Sequence, residues 1–247
     1  MRPKIGIKTK NIMKTINEGV KSDVIELISC DVNVEFSSKR VSKIKKLLDG
    51  KDLSMHSQTS RVFSSESEYG IPDFVEAELH ALRSEVILCK VLGAKELIFH
   101  LRDGKLTKSE IDSLRSVFNF AEENGVEMIY ESNWGFVAEE AFTVLKEFPE
   151  LNYNLDLGHL NMSIAQNTLG MSVEDFISRI NDKVVYVHAH NNDGVLDQHR
   201  GIEDGTLDWK KIFGLLDFNH VRKVMAEVWD AKALLETKNL LEEYFDE

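Results

Sequence analysis

The sequence predicts a closed (β/α)₈ barrel, the TIM-barrel fold, formed as one domain over residues 1–247. Three observations predict it. Eight short β-type runs alternate with helical segments along the whole chain, and such alternation implies a parallel sheet. The chain has 247 residues, the size of one eight-fold barrel. Residues with metal-binding side chains recur at the C-terminal ends of the third to eighth runs, the end where barrels of this kind carry their sites.

The predicted strands are Lys4–Thr9, Asp23–Ser29, Asp52–Ser57, Glu96–Leu101, Glu127–Ser132, Tyr153–Leu157, Val184–His190 and Lys223–Val228. Continuous apolar stretches such as Val184-Val-Tyr-Val suit strands covered on both faces. Amphipathic stretches separate them. Pro72–Leu92 is the longest. Thr107–Asn124 opens with Thr107-Lys-Ser-Glu110, a capping-box spacing, and closes at Gly125. Phe136–Phe148 stops before Pro149. No linker or low-complexity segment interrupts the pattern.

Composition narrows the class. The chain is 43% hydrophobic and 29% charged, with a formal charge of −12, which argues against a broad basic surface for nucleic acid. No apolar run approaches the roughly 18 residues a membrane span needs, so no membrane partner is expected. The opening Met1-Arg-Pro-Lys-Ile-Gly-Ile-Lys has no apolar signal-peptide core. Cys30 and Cys89 are too few for a disulfide framework, and a cytoplasmic location is expected.

The strand ends carry the chemistry. The third ends in Ser54-Met-His56, the fourth in Ile98-Phe-His100 and the fifth in Ile129-Tyr-Glu131. The sixth runs into Leu155-Asp156-Leu-Gly-His159. The seventh ends in Val187-His188-Ala-His190, with Asp197-Gln-His199 beyond it, and the eighth in Ala226-Glu227. Of eight histidines, only His80 and His220 lie away from a strand end. Taken singly, each has an ordinary reading as a hydrogen-bonded core or loop residue; converging on one rim, they do not. Glu131, Asp156, Asp197 and Glu227 bring four negative charges to that rim with no Lys or Arg set expected beside them. Divalent cations are the natural partners. Imidazole and carboxylate donors without thiolate suit Zn²⁺, Mn²⁺ or Fe²⁺. His190 is expected on the opposite strand face from His188, in a packing or supporting role.

These motifs resemble those of the xylose isomerase-like barrels, and within them the endonuclease IV (family 2 AP endonuclease) branch. Leu155-Asp-Leu-Gly-His159 resembles the branch's Asp-Thr-x-His motif, Asp197-Gln-His199 with Gly205 its Asp-Arg-His…Gly, and Glu131-Ser-Asn-Trp-Gly its Glu-Asn-Thr-x-Gly. The resemblance implies up to three Zn²⁺ ions. One would use His56, His100 and Glu131; a second Glu131 as a bridge, Asp156, His188 and Glu227; a third His159, Asp197 and His199. It departs from the branch at His100-Leu-Arg-Asp-Gly, where His-Pro-Gly is usual, at Gln198, and in short loops after the first two strands.

Two activities follow from the resemblance. The first is metal-dependent hydrolysis of a phosphodiester, with DNA at abasic sites as partner. Arg61, Phe63 and Tyr69 in the loop Ser57–Ile71 would contact a backbone or fill an opened duplex, unless the loop is an ordinary surface loop. The second is a sugar isomerase or epimerase acting on a small sugar or sugar phosphate. It would use one metal on Glu131, Asp156, His188 and Glu227, with His159 on a sugar hydroxyl and the two glutamates moving protons beside a carbonyl. Gly205-Thr-Leu-Asp-Trp209 resembles a segment of those enzymes. Glu131 and Glu227 are the candidate catalytic residues of either chemistry. Trp134 and Trp229 are candidate pocket walls, Arg102 and Arg200 candidate phosphate contacts, and Cys30 a buried thiol.

Overall fold

The computed structural model describes residues 2–29, 38–58, 72–101 and 107–246. Cys30, Arg102 and the loop residues Arg61, Phe63 and Tyr69 lie outside them. The eight strands are β1 (Lys4–Thr9), β2 (Val24–Ile28), β3 (Asp52–His56), β4 (Glu96–Phe99), β5 (Glu127–Glu131), β6 (Asn152–Asp156), β7 (Val184–Ala189) and β8 (Lys223–Ala226). All pair in parallel in chain order, and β1 closes onto β8 through Lys4↔Lys223 to Ile7↔Ala226. The predicted runs fall on the observed strands, mostly one or two residues too long at the C-terminal end.

The described helices are α1 (Ile12–Asn17), α2 (Ser38–Leu47), α3 (Pro72–Leu92), α4 (Lys108–Glu123), α5 (Val137–Glu147), α6 (Leu157–Ala165), α7 (Val173–Ile180), α8 (Trp209–Leu215) and α9 (Ala231–Asp246). The Thr107 capping box forms: its side chain accepts from Glu110 N, and the Glu110 carboxylate accepts from Thr107 N. A cap of this kind stabilises a helix start by about 1 kcal/mol. Gly125, at φ +71°, turns the chain back toward β5. No helix among the described residues is long and apolar enough to cross a membrane.

Two apolar regions hold the barrel. The larger lies between strands and helices and includes Leu27, Met55, Leu97, Phe99, Tyr130, Tyr153 and Val187. The smaller, Val24, Ile98, Ile129, Val185, Tyr186 and Met225, includes a plug inside the barrel. Met225 folds over Gly6, its paired neighbour on β1, so closely that a Cβ on Gly6 would come within 2.6 Å of its Cε. Below the plug, Lys223 Nζ bonds Asp52 at 2.7 Å and Glu96 at 3.0 Å. Above it, the inward side chains are polar or charged. Because strand residues alternate faces, each position two beyond a plug residue turns toward the upper mouth: Glu26 after Val24, His100 after Ile98, Glu131 after Ile129, His188 after Tyr186 and Glu227 after Met225.

Candidate metal centre

Parallel register brings the strand ends level. Asp156 pairs with His188, and Glu131 with Asn154. His188 Nδ1 lies 3.0 Å from Glu131 Oε2, 3.0 Å from Glu227 Oε2 and 3.6 Å from Asp156 Oδ2. These four side chains, from four successive strands, are all buried.

The spacing of Asp156-x-x-His159 has a local cause. Asp156 caps α6, its Oδ1 accepting from His159 N at 2.7 Å. That leaves Oδ2 turned toward His188, while the first helical turn carries His159 to the rim. The imidazoles are fixed by their second nitrogens. His56 Nδ1 donates to Ser57 O at 2.9 Å, His100 Nδ1 to Glu131 O at 3.1 Å and His159 Nδ1 to Ser132 O at 2.9 Å. Backbone carbonyls therefore hold these protons, so in the neutral form of each ring Nε2 is the atom that carries the lone pair. The His56 and His100 Nε2 atoms lie 3.3 and 3.4 Å from the two oxygens of Glu131.

In the loop after β7, Asp197 lies near both His199 and His159, but the three-donor group on this side joins His199 to His190 and Glu227. Asp197 Oδ2 lies 3.0 Å from His199 Nε2 and 3.7 Å from His159 Nε2. Asn191 braces this loop by donating to Ile202 O and Leu207 O, and Asn192 ties it to Gly158 O. Gln198, where the resembled branch has Arg, closes the loop on Asp193 at 2.7 Å. His199 adopts φ +48°, a left-handed conformation uncommon for a side-chain-bearing residue. Its ring stacks on His190, with centroids 4.2 Å apart, and lies 4.3 Å from Trp229.

Two sequence expectations are corrected. The carboxylates do have a cation beside them: Lys8 of β1 is buried with its Nζ 2.7 Å from Glu227 Oε1 and 3.7 Å from Glu26 Oε1. A barrel brings its first strand against its last, and strand-by-strand reading missed that contact. His190 lies on the same side as His188, as a two-residue spacing on an extended segment demands. Its Nε2 is 3.1 Å from both oxygens of Asp156. Gly158 makes the room: a Cβ there would fall 1.9 Å from His190 Cε1. Glu26 is the other residue missed, for it sits inside the apolar run Val24-Ile-Glu-Leu-Ile. A lone carboxylate in such a run was the available signal.

Charge follows from burial. Burial opposes ionisation of Glu131, but His100 and His188 outweigh it and hold the carboxyl well below its usual range. Glu227 is held down likewise by Lys8 and His188. Burial, helped by His56, His159 and Lys8, outweighs Glu131 and pushes His100 down to about 3. Burial also works against a charged His159, yet Asp156, Asp197 and Glu131 raise it to about 10. His188 is raised well above its ordinary value against the same opposition, by Glu26, Glu131 and Glu227. The carboxylates thus stay ionised, balanced by Lys8 and imidazolium protons, or by a divalent cation that replaces those protons.

The donors suit such a cation. Glu227 Oε2, Asp197 Oδ1 and His199 Nδ1 are buried without a hydrogen bond among the described residues. The sets His56–His100–Glu131, Glu131–Asp156–His188, Glu26–His56–His188 and His190–His199–Glu227 each offer three ligand atoms within 4.8 Å of one another. All are nitrogen or oxygen donors. Of the outlying candidates, Trp134 is 58% exposed, and Arg200 pairs with Asp193 at 3.5 Å.

Comparison with known proteins gives three results. The sequence profile described as xylose isomerase-like TIM barrel matches residues 21–244. An uncharacterized protein of Methanocaldococcus jannaschii, MJ1614, is 24% identical over 257 residues, spanning 96% of this chain and 92% of that protein. Among solved structures, a D-tagatose 3-epimerase-like protein superposes with TM-score 0.75 at 17% identity, covering 98% of this chain and 97% of that one. D-psicose 3-epimerase from Clostridium cellulolyticum H10, solved with D-tagatose, gives 0.70 at 16% identity, covering 98% of each. At these identities the structural likeness speaks to the fold.

Proposed function

Since the chain belongs to the xylose isomerase-like TIM barrel family, we propose that it is a metal-dependent isomerase or epimerase of a small sugar or sugar phosphate. The observation that carries this reading is the pair Glu131 and Glu227, each with one oxygen 3.0 Å from His188 Nδ1. Two ionised carboxylates thus border one cation position, the arrangement a two-base proton transfer needs. The epimerase names of the structural neighbours support the same substrate class.

Glu131, Asp156, His188 and Glu227 would hold the ion. Once bound, a divalent cation would polarise a carbonyl and so acidify the hydroxyl-bearing carbon next to it. One glutamate, ionised, would take the proton from that carbon; the other, protonated from solvent before the step, would return one to the carbon skeleton, leaving the first glutamate protonated and the second ionised until solvent resets them. Asn154 Nδ2, donating to Glu131 Oε2 at 2.6 Å, orients one carboxylate, and Lys8 orients the other. His159, at the rim, would bond a sugar hydroxyl.

A second reading, phosphodiester hydrolysis with abasic DNA as partner, is favoured by one observation. His56 and His100 converge on Glu131, and His159 and His199 on Asp197, giving more donors than one ion uses. The test is metal content of chelator-free protein alongside assays of ketoses, ketose phosphates and an abasic-site duplex. Ketose turnover supports the isomerase reading. Duplex cleavage with about three equivalents of zinc, and no ketose turnover, replaces it with the second.

A further inference from the structure

We propose that Glu26 is a positioning residue that fixes the His188 ring with Nδ1, not Nε2, toward the metal centre. Glu26 Oε2 accepts from His188 Nε2 at 3.0 Å. The same oxygen accepts from the Tyr186 hydroxyl at 2.7 Å, and Ser54 Oγ lies 2.7 Å from that hydroxyl. Glu26 and His188 are both fully buried, so water cannot replace either partner. Two neighbours hold the carboxylate where it is: Tyr186, two residues before His188 on β7, and the Lys8 ammonium, 3.7 Å from Glu26 Oε1.

The consequence lies on the other side of the ring. With the Nε2 proton committed to Glu26, a neutral His188 presents its Nδ1 lone pair. It does so 3.0 Å from Glu131 Oε2 and Glu227 Oε2 and 3.6 Å from Asp156 Oδ2. This is opposite to His56, His100 and His159, whose Nδ1 protons go to backbone carbonyls. His188 has a carboxylate behind it instead. A carboxylate acceptor also makes the imidazole a stronger donor to a cation. The inference rests on the cation site proposed above but not on which reaction that site performs.

The experiment uses zinc as probe. Long-range ¹H–¹⁵N correlation spectra of the full chain report which nitrogen of His188 bears the proton, with its signals assigned by their loss in His188→Gln. In the zinc-loaded wild type the proton is expected on Nε2. Glu26→Ala is expected to lose the single tautomer and weaken zinc binding by about 10–100-fold. Glu26→Gln keeps an acceptor oxygen, and should retain the tautomer and most of the affinity. A wild-type proton on Nδ1 overturns the proposal without any variant. So does Glu26→Ala with unchanged tautomer and zinc affinity within about twofold of wild type. If Glu26→Ala does not fold, a proton on Nδ1 in Glu26→Gln overturns it. Failure of wild type to take up zinc overturns it together with the cation site, whereas zinc uptake with the wrong tautomer removes only the role of Glu26.

Discussion

Lys8 Nζ lies 2.7 Å from Glu227 Oε1, with each side chain only 4% exposed. Removing Lys8 leaves Glu227 buried with only imidazole partners, at a cost of up to about 3–5 kcal/mol. Lys8→Met is therefore expected to lose stability of that order in zinc-free protein. Added Zn²⁺ should recover much of it by supplying the missing positive charge. Urea denaturation with and without zinc checks this; zinc-free stability equal to wild type would refute it.

Glu131→Gln should fold yet lose activity by roughly a thousandfold, or several kcal/mol of barrel-end chemistry. The carboxylate faces His56, His100 and His188 within 3.4 Å. An amide there cannot carry a proton and is a poorer cation ligand. The measurement is kcat on whichever substrate wild type turns over, with circular dichroism to confirm the fold. Retention of more than about a tenth of kcat would exclude Glu131 from the chemistry.

His199→Ala separates the two activities. It removes the Nε2 that lies 3.0 Å from Asp197. In a one-cation isomerase, turnover at saturating ketose should stay largely intact while KM rises. In a three-cation hydrolase, cleavage of an abasic duplex should nearly vanish and one equivalent of metal be lost. The KM-against-kcat split and the metal content decide.

Gly158→Ala tests the seat of His190. Alanine normally favours a helix over glycine by up to about 1 kcal/mol. Here its Cβ would meet the His190 ring, with Cε1 at 1.9 Å, and overpacking of this kind costs about 1–3 kcal/mol. The clash should win, lowering Tm and pushing His190 off Asp156. A Tm at or above wild type would show that the ring has room to move.

At the lower mouth, burial works against an ionised Asp52, but its bonds to Lys223 and Lys4 outweigh it and depress its pKa below the ordinary value of 3.8. A depressed carboxyl stabilises the fold fully above its unfolded value, and that contribution fades as pH falls through the folded one. The stability gap between wild type and Asp52→Asn should thus be constant near neutrality and shrink below about pH 4. Chemical denaturation across pH 2–7 measures it; a gap that widens on acidification would reverse the sign.

The eight strands and the residues at their ends are legible in the chain alone. These are local properties: two-residue alternation, Gly and Pro punctuation, and caps such as Thr107 act within a few residues. That is why the run Lys4–Thr9 reads as β1, and why His56, His100, Glu131, Asp156, His188 and Glu227 read as sharing one rim. How that rim is balanced depends on the closed barrel. Lys8 and Glu227 meet because the first strand hydrogen-bonds to the last. Glu26 reaches His188 across the barrel interior from a run that reads as plain core. Which nitrogen each histidine turns inward depends on a carbonyl or carboxylate behind the ring, contributed in most cases by another strand or the loop that follows it. Closing the barrel excludes water, so each buried charge must find its partner across the mouth, and that matching depends on distances set by all eight strands together.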